Sequence, residues 1–240
     1  MLPAKIEINL VDVCNRTCSF CPRGADMPNS KRKLSVDDSI ILGQRLKEYG
    51  GVVTLCGMGE PLLHNQFAKV VSNLQLNNAD TYLITNGDYL TPNKAIELKN
   101  LNITNIKISL YDKDTTEHFN SFLSDFSVTY RHYYNKLDNE VNRVEIYNSP
   151  TNKNIERPCY LPFYKMFINY DLKVYLCAND WSHSACMGDL RTQSLEEVWL
   201  SDEFYNYRKE LADGQRSKFP CSSCAVNGTL HGKQYVKDLI

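Results

Sequence analysis

Hydrophobic and polar positions along this chain alternate between two periods. From Ile6 to Leu10 every second residue is apolar (Ile6, Ile8, Leu10), the pattern of a half-buried strand. Ser35–Tyr49 predicts a helix, with Ser35 as N-cap and Asp37 and Asp38 in its first turn, where carboxylates suit the helix dipole. A β-branched run at Val52–Cys56 predicts the next strand. Asn65–Leu76 returns to helical spacing, with Phe67, Val70, Val71 and Leu74 on one face. Tyr82–Thr85 reads as a strand ended by Asn86-Gly87, and Thr91-Pro92 opens a helix with proline at its first position. Asn105–Leu110 predicts a strand and Thr115–Leu123 a helix, with further extended stretches near Ser127–Tyr130 and Arg143–Tyr147. Repeated strand–helix units imply a mostly parallel sheet with right-handed crossovers. The fold class is therefore α/β. Six strands predict an open, partial (β/α)6 barrel, because a full eightfold barrel typically takes ~250 residues by itself.

Asn148–Pro158 breaks the pattern: it is polar, has two prolines and shows no periodicity. A domain boundary is placed there, giving residues 1–150 and 151–240. Beyond it, Lys165–Asn169 and Lys173–Cys177 flank Tyr170-Asp171-Leu172 and predict a hairpin. Ser194–Leu211 predicts one helix. Ser194 and Glu197 form a capping box, and Leu195, Val198, Trp199, Phe204 and Leu211 make its buried stripe. The second unit is thus a small α+β domain.

Composition narrows the function classes. The 240 residues carry 27 basic and 28 acidic side chains, a net charge of −1, which does not describe a dedicated nucleic-acid binder. An apolar fraction of 42% supports a packed core. No apolar run approaches the ~18 residues of a membrane span. The N-terminus runs straight into a strand pattern, which predicts no signal peptide and a cytoplasmic protein.

The informative residue is cysteine. There are nine, well below the ~8–10% density of a disulfide scaffold, and an odd number cannot pair completely within one chain. Clustered cysteines without a secretory signal point to metal or catalysis. Cys14, Cys18 and Cys21 crowd behind the first strand as C-x3-C-x2-C, Cys56 stands alone, and Cys159, Cys177, Cys186, Cys221 and Cys224 fall in the last third. Three thiolates at the first spacing can grip three corners of a [4Fe–4S] cube and leave one iron open, whereas structural zinc takes four closed ligands. Cys159, Cys177 and the Cys221-x2-Cys224 knuckle can close a second site with four thiolates. From spacing alone, zinc remains an alternative at that site.

C-x3-C-x2-C after the first strand, with Phe20 before the third cysteine, resembles the radical S-adenosylmethionine (SAM) superfamily. Gly57-Met-Gly59-Glu60-Pro61, at the end of the second strand, resembles the glycine–glutamate motif of that family. The resemblance implies that Cys14, Cys18 and Cys21 hold a [4Fe–4S] cluster whose open iron binds SAM. It implies SAM contacts from Phe20 near the adenine, from Gly57, Gly59 and Glu60, and from Asn86 and Ser109 at strand ends. The last third resembles the Twitch domain, the shortened form of the SPASM domain. The resemblance rests on Arg157-Pro158-Cys159, Met187-Gly188-Asp189-Leu190, Ser194–Trp199 and Cys221-x2-Cys224, and it implies a second [4Fe–4S] cluster on Cys159, Cys177, Cys221 and Cys224. One departure is Leu172, which stands where glycine is usual, five residues before the second of these cysteines.

The implied function is a radical SAM oxidoreductase. It would cleave SAM to a 5′-deoxyadenosyl radical and oxidise a small polar substrate, such as an alcohol of a sugar or cyclitol. Its partners would be that substrate and a flavodoxin- or ferredoxin-like electron donor, with neither nucleic acid nor membrane involved. Peptide-modifying maturases are the alternative within the family. A non-catalytic iron–sulfur or zinc-binding module is the alternative outside it. Cys56 and Cys186 carry no assigned role; Cys56 reads as a small buried hydrophobe and Cys186 as packing. His64 and His183 read as structural.

Overall fold

The computed structural model describes residues 1–25, 27–134, 156–224 and 226–240. Among them, eight strands form one sheet: β1 (Lys5–Asn9), β2 (Val52–Cys56), β3 (Asp80–Thr85), β4 (Asn105–Leu110), β5 (Ser127–His132), β6 (Lys165–Ile168), β7 (Lys173–Tyr175) and β8 (Cys186–Asp189). Their order is β5-β4-β3-β2-β1-β6-β7-β8. Every pair from β5 to β6 is parallel, and β7 and β8 then add antiparallel.

Helices Val36–Leu46, Phe67–Asn73, Pro92–Asn100 and Thr116–Asn120 alternate with β1 to β5, as the two periods predict. Ser35 caps the first, its hydroxyl accepting from the Asp38 amide at 3.0 Å. Thr91 does the same for the Lys94 amide at 3.2 Å, with Pro92 in the first turn. The apolar alternates of the strands, such as Ile6, Ile8, Ile106 and Ile108, are buried in the core. Their neighbours Lys5, Glu7, Asn9, Lys107 and Ser109 project to the opposite, concave side. These parallel strands form a half-barrel with a polar lumen.

Three features bear on the sequence expectation, the first and third as differences. First, the sixth parallel strand is β6, paired with β1 from Lys5↔Lys165 to Ile8↔Ile168. The predicted hairpin is therefore also the continuation of the main sheet. The extended stretch expected at Arg143–Tyr147 and the 150/151 boundary lie outside the described residues. Second, the hairpin forms although Leu172 occupies the glycine position. Leu172 adopts φ +61°, which costs a non-glycine residue roughly 1–2 kcal/mol. Its side chain is fully buried, and that burial, about 1.5–3 kcal/mol, offsets the strain.

Third, Ser194–Leu211 is two helices, Leu195–Trp199 and Asp202–Ala212. The capping box of Ser194 and Glu197 is present, but Ser201 starts a second helix by accepting from the Phe204 amide at 3.3 Å. The break frees the Trp199 carbonyl. The buried Arg208 guanidinium takes it at 2.7 Å and the Pro162 carbonyl at 2.9 Å, lying 4.0 Å from the Trp199 ring centroid. Among the described residues no helix is long and apolar enough to cross a membrane.

Candidate active site and thiol clusters

The carboxyl ends of the parallel strands open on a cavity of about 360 Å³. Cys14, Cys18, Phe20, Cys21, Gly57, Gly59, Glu60, Asn86 and Ser109 all line it. It extends to Asn179 and Trp181, on the far side of β7.

Two glycines let the second strand end where it does. Gly57 has φ +139°, and a Cβ there would stand 2.3 Å from Asn9 Oδ1. A Cβ on Gly59 would meet the Val13 and Val11 carbonyls at 2.4 and 2.5 Å. The turn thus presses against the segment leading into Cys14, and the Glu60 amide donates to the Val13 carbonyl at 2.8 Å. The Glu60 carboxylate points inward. It accepts from Leu62 N at 3.1 Å, Thr85 Oγ1 at 2.7 Å and Asn86 N at 2.8 Å. Burial raises the Glu60 pKa above the ordinary carboxylate value, against the pull of these three donors. Glu60 is therefore a strut that fixes Asn86, whose Nδ2 in turn donates to Asn15 Oδ1 at 2.9 Å on the cysteine loop.

The loop has further anchors. The Asn29 amide side chain brackets Cys14, accepting from its N–H at 2.9 Å and donating to its carbonyl at 2.8 Å. Arg16 pairs with Asp88 at 2.6 Å and Asp112 at 2.8 Å. Arg23 is buried, pairs with Asp12, and donates to the Pro28 carbonyl at 2.8 Å and the Met58 carbonyl at 3.2 Å. Its guanidinium lies 5.7 Å from the Trp181 ring centroid. Phe20 stands in a stack with Tyr133 at 5.5 Å and Tyr111 at 6.2 Å, an aromatic wall suited to a flat heterocycle. Burial and the neighbouring thiols push Cys18 up to about 11, and burial also raises Cys14. As thiolates they need a cation close by, which iron provides.

Cys159, Cys177, Cys221 and Cys224 surround a second, enclosed void of about 20 Å³, walled otherwise by Leu161, Pro162, Leu176, Leu211 and Pro220 among others. Burial raises all four thiols above the ordinary cysteine value. The buried Arg216 staples the site. It donates to the carbonyls of Arg157 (3.0 Å), Pro158 (3.3 Å), Cys224 (2.6 Å) and Val226 (3.2 Å), tying the first cysteine strap to the last. An all-thiol donor set in an apolar pocket suits an iron–sulfur cluster.

Of the leftover residues, Cys186, His64 and His183 line neither the cavity nor the enclosed void. Cys186 is exposed and its thiol faces the Gly188 carbonyl at 3.6 Å. Cys56 is half-buried and lines the cavity rather than the apolar core, a correction to its expected packing role. His64 is structural: Nε2 meets the Leu34 carbonyl at 2.8 Å and Nδ1 accepts from Gln66 N at 3.1 Å. His183 stacks on Tyr175 at 4.4 Å. The sequence reading missed Glu7, Arg131 and Lys165, which also line the cavity. Their signal was the polar half of each strand alternation, which reads equally well as solvent-facing.

Residues 8–115 match the radical SAM superfamily, and residues 159–225 match an iron–sulfur cluster-binding domain, SPASM. The first stretch thus matches a radical SAM domain and the second a SPASM-type iron–sulfur domain. The cofactors of these domains are a [4Fe–4S] cluster with SAM in the first and an auxiliary iron–sulfur cluster in the second. A similar curated protein is the S-adenosyl-L-methionine-dependent 2-deoxy-scyllo-inosamine dehydrogenase of Niallia circulans, 26% identical over 244 residues and covering 96% of each chain. The fold matches the crystal structure of BtrN in complex with AdoMet and 2-DOIA, with a TM-score of 0.83, 23% identity and 98% of each chain covered. It also matches native anSMEcpe with bound AdoMet, with a TM-score of 0.61, 12% identity and 98% and 96% of the two chains covered.

Proposed function

We propose that this chain is a radical SAM dehydrogenase that oxidises a secondary alcohol of a small polar molecule such as a sugar or cyclitol. The observation that carries the reading is the single cavity shared by the cysteine loop, the glycine turn, the charged lumen of the half-barrel and the edge of the second thiol site. When bound, the clusters and SAM would supply the one-electron chemistry that takes a hydrogen atom from the carbinol carbon and then an electron, the hydroxyl proton leaving to solvent.

The chain's own residues bind, orient and exclude. Cys14, Cys18 and Cys21 would hold the first cluster. Phe20 flanks the adenine, backbone groups of Gly57 and Gly59 meet the methionine moiety, and Asn86, held by Glu60, and Ser109 meet its polar groups. Cys159, Cys177, Cys221 and Cys224 hold the auxiliary cluster. Glu7 and Lys165, paired at 2.9 Å in the lumen, offer an acceptor and a donor to substrate hydroxyls. Residues 1–150 form the SAM-binding unit and 151–240 the auxiliary-cluster unit, with the polar Asn148–Pro158 stretch between them. A flavodoxin- or ferredoxin-like donor in the cytoplasm supplies the priming electron. A cavity of this size, about 360 Å³, suits a small molecule rather than a peptide.

The test is an anaerobic assay with SAM, dithionite and 2-deoxy-scyllo-inosamine deuterated at its carbinol carbons. Deuterium in the released 5′-deoxyadenosine and a ketone product support the reading. Deoxyadenosine release that no sugar or cyclitol stimulates or labels would count against it.

A further inference from the structure

The chain that follows the cysteine loop doubles back along the segment leading into it. The Asp12 amide donates to the Arg32 carbonyl at 2.9 Å, the Ser30 amide to the Asp12 carbonyl at 3.0 Å, and the Leu34 amide to the Leu10 carbonyl at 2.9 Å. Val11 and Lys33 form an antiparallel bridge. Lys31-Arg32-Lys33 is thereby laid beside the stretch that ends at Cys14. Asn29, two residues before Lys31, brackets the Cys14 backbone. In a chain of net charge −1, this is the only run of three consecutive cations.

All three side chains are exposed, and none lines the cavity. They line a separate surface groove with Tyr170, Asp171 and Arg191 among others. Their charge is only partly met. Arg32 reaches Asp12 at 3.2 Å, but the buried Arg23 already pairs with that carboxylate. The Arg32 guanidinium lies 5.6 Å from the Tyr170 ring centroid, with its side chain still 65% exposed. Lys33 Nζ donates to a neutral group, the Asn65 side chain, at 2.7 Å. Of the groove carboxylates, Asp38 is taken by Arg191 at 3.0 Å, which leaves Asp37 and Asp171 against three cations.

A run of like charges repels itself and adds little to the fold; its use is to steer an oppositely charged partner. The cavity side of the cysteine loop is the side that SAM and substrate would fill. A protein that delivers an electron has to approach from outside it, where Lys31–Lys33 stand.

We propose that Lys31, Arg32 and Lys33 form the docking surface for the electron donor, an acidic one-electron carrier protein. This rests on the radical SAM reading and adds the place of contact and the sign of its charge. The carrier loses one electron and the first cluster gains it; no bond or proton changes hands.

The test is deoxyadenosine release from SAM by the anaerobically reconstituted protein, driven in parallel by reduced flavodoxin and by excess dithionite. The double change Lys31→Glu and Lys33→Glu spares the backbone bonds of the bridge. It should raise the KM for flavodoxin about tenfold or more, because like charges then meet at the contact. The dithionite-driven rate should stay as in wild type, and Lys31→Arg with Lys33→Arg should keep the wild-type KM. Added salt should raise the flavodoxin KM of wild type and leave that of the double Glu variant unchanged or lower it. Three results would overturn the proposal: an unchanged flavodoxin KM in the double Glu variant, a dithionite-driven rate that falls by the same factor, or wild type that dithionite drives and flavodoxin does not. Wild type that releases no deoxyadenosine even with excess dithionite would instead refute the underlying radical SAM reading, and the proposal with it.

Discussion

Cys14, Cys18 and Cys21 sit on one short loop, half-buried, with their thiols turned to the wall of an open cavity. Cys159, Cys177, Cys221 and Cys224 come from segments far apart in the chain and close around an apolar void. The first site is held by polar struts from outside it: Asn29 on Cys14, Asn86 on Asn15, and Arg16 on Asp88. The second is held by packing and by the four carbonyl bonds of Arg216. Three thiols and open space suit a centre that must receive a ligand. Four thiols and no space suit a centre that passes electrons without exchanging ligands. The contrast lies in the number of thiols and also in the amount of the fold committed to each.

Disabling the open site should have the largest effect. Cys18→Ala should reduce 5′-deoxyadenosine formation to the background of the cluster-free protein while leaving the fold intact by circular dichroism. A variant that cleaves SAM at the normal rate would break the contrast outright. Next in size is the double change Cys221→Ala and Cys224→Ala. Reconstituted wild type should hold about eight irons per chain and the double variant about four. It should also melt earlier, because the closed site staples distant segments together. Full iron retention would show that these thiols bind none.

Arg23 tests whether the two regions communicate. It is paired with Asp12, bonded to the Met58 carbonyl and stacked on Trp181, so it spans from the cysteine loop to the loop after Cys177. Arg23→Met leaves Asp12 buried without its main partner and should cost about 3–5 kcal/mol of stability by denaturant titration. Loss below about 1 kcal/mol would mean that solvent reaches the pair.

The smallest effect is reserved for His64, which touches neither thiol site. Burial holds its pKa below the ordinary histidine value, so the unfolded chain binds the proton first. Stability should therefore fall as pH drops through and below the ordinary histidine range, and be complete above it. Thermal melts of His64→Gln should lose this slope while deoxyadenosine release stays as in wild type. An unchanged slope would place the titrating group elsewhere.

What the sequence disclosed and what it concealed divide along contact range. Cysteine spacing, the glycine turn and the N-caps of Ser35, Thr91 and Ser194 are local, and all were legible. The second N-cap at Ser201 was equally local, with Asp202 and Glu203 behind it, but a continuous apolar stripe masked it. Arg216 bonds to residues as many as 59 positions away, and no periodicity encodes such a contact. The pairing of β6 with β1 is likewise long-range. The lumen charges were visible as the polar alternates of their strands. Only the curvature of the sheet decides that such residues face a ligand instead of water.

That polar lumen has a thermodynamic consequence. A closed barrel fills its interior with branched aliphatic side chains and gains stability from them. This half-barrel places Glu7, Lys165 and Arg131 there instead, so part of its interior is completed only by what it binds. Each bound molecule then adds to the folding free energy, about 2.7 kcal/mol at one hundred times its dissociation constant. The enzyme should be most fragile when empty, and its melting temperature becomes a readout of its own chemistry. Molecules ranked by the stability they confer on the SAM-loaded protein would be ranked by their fit to the lumen, before any product is detected.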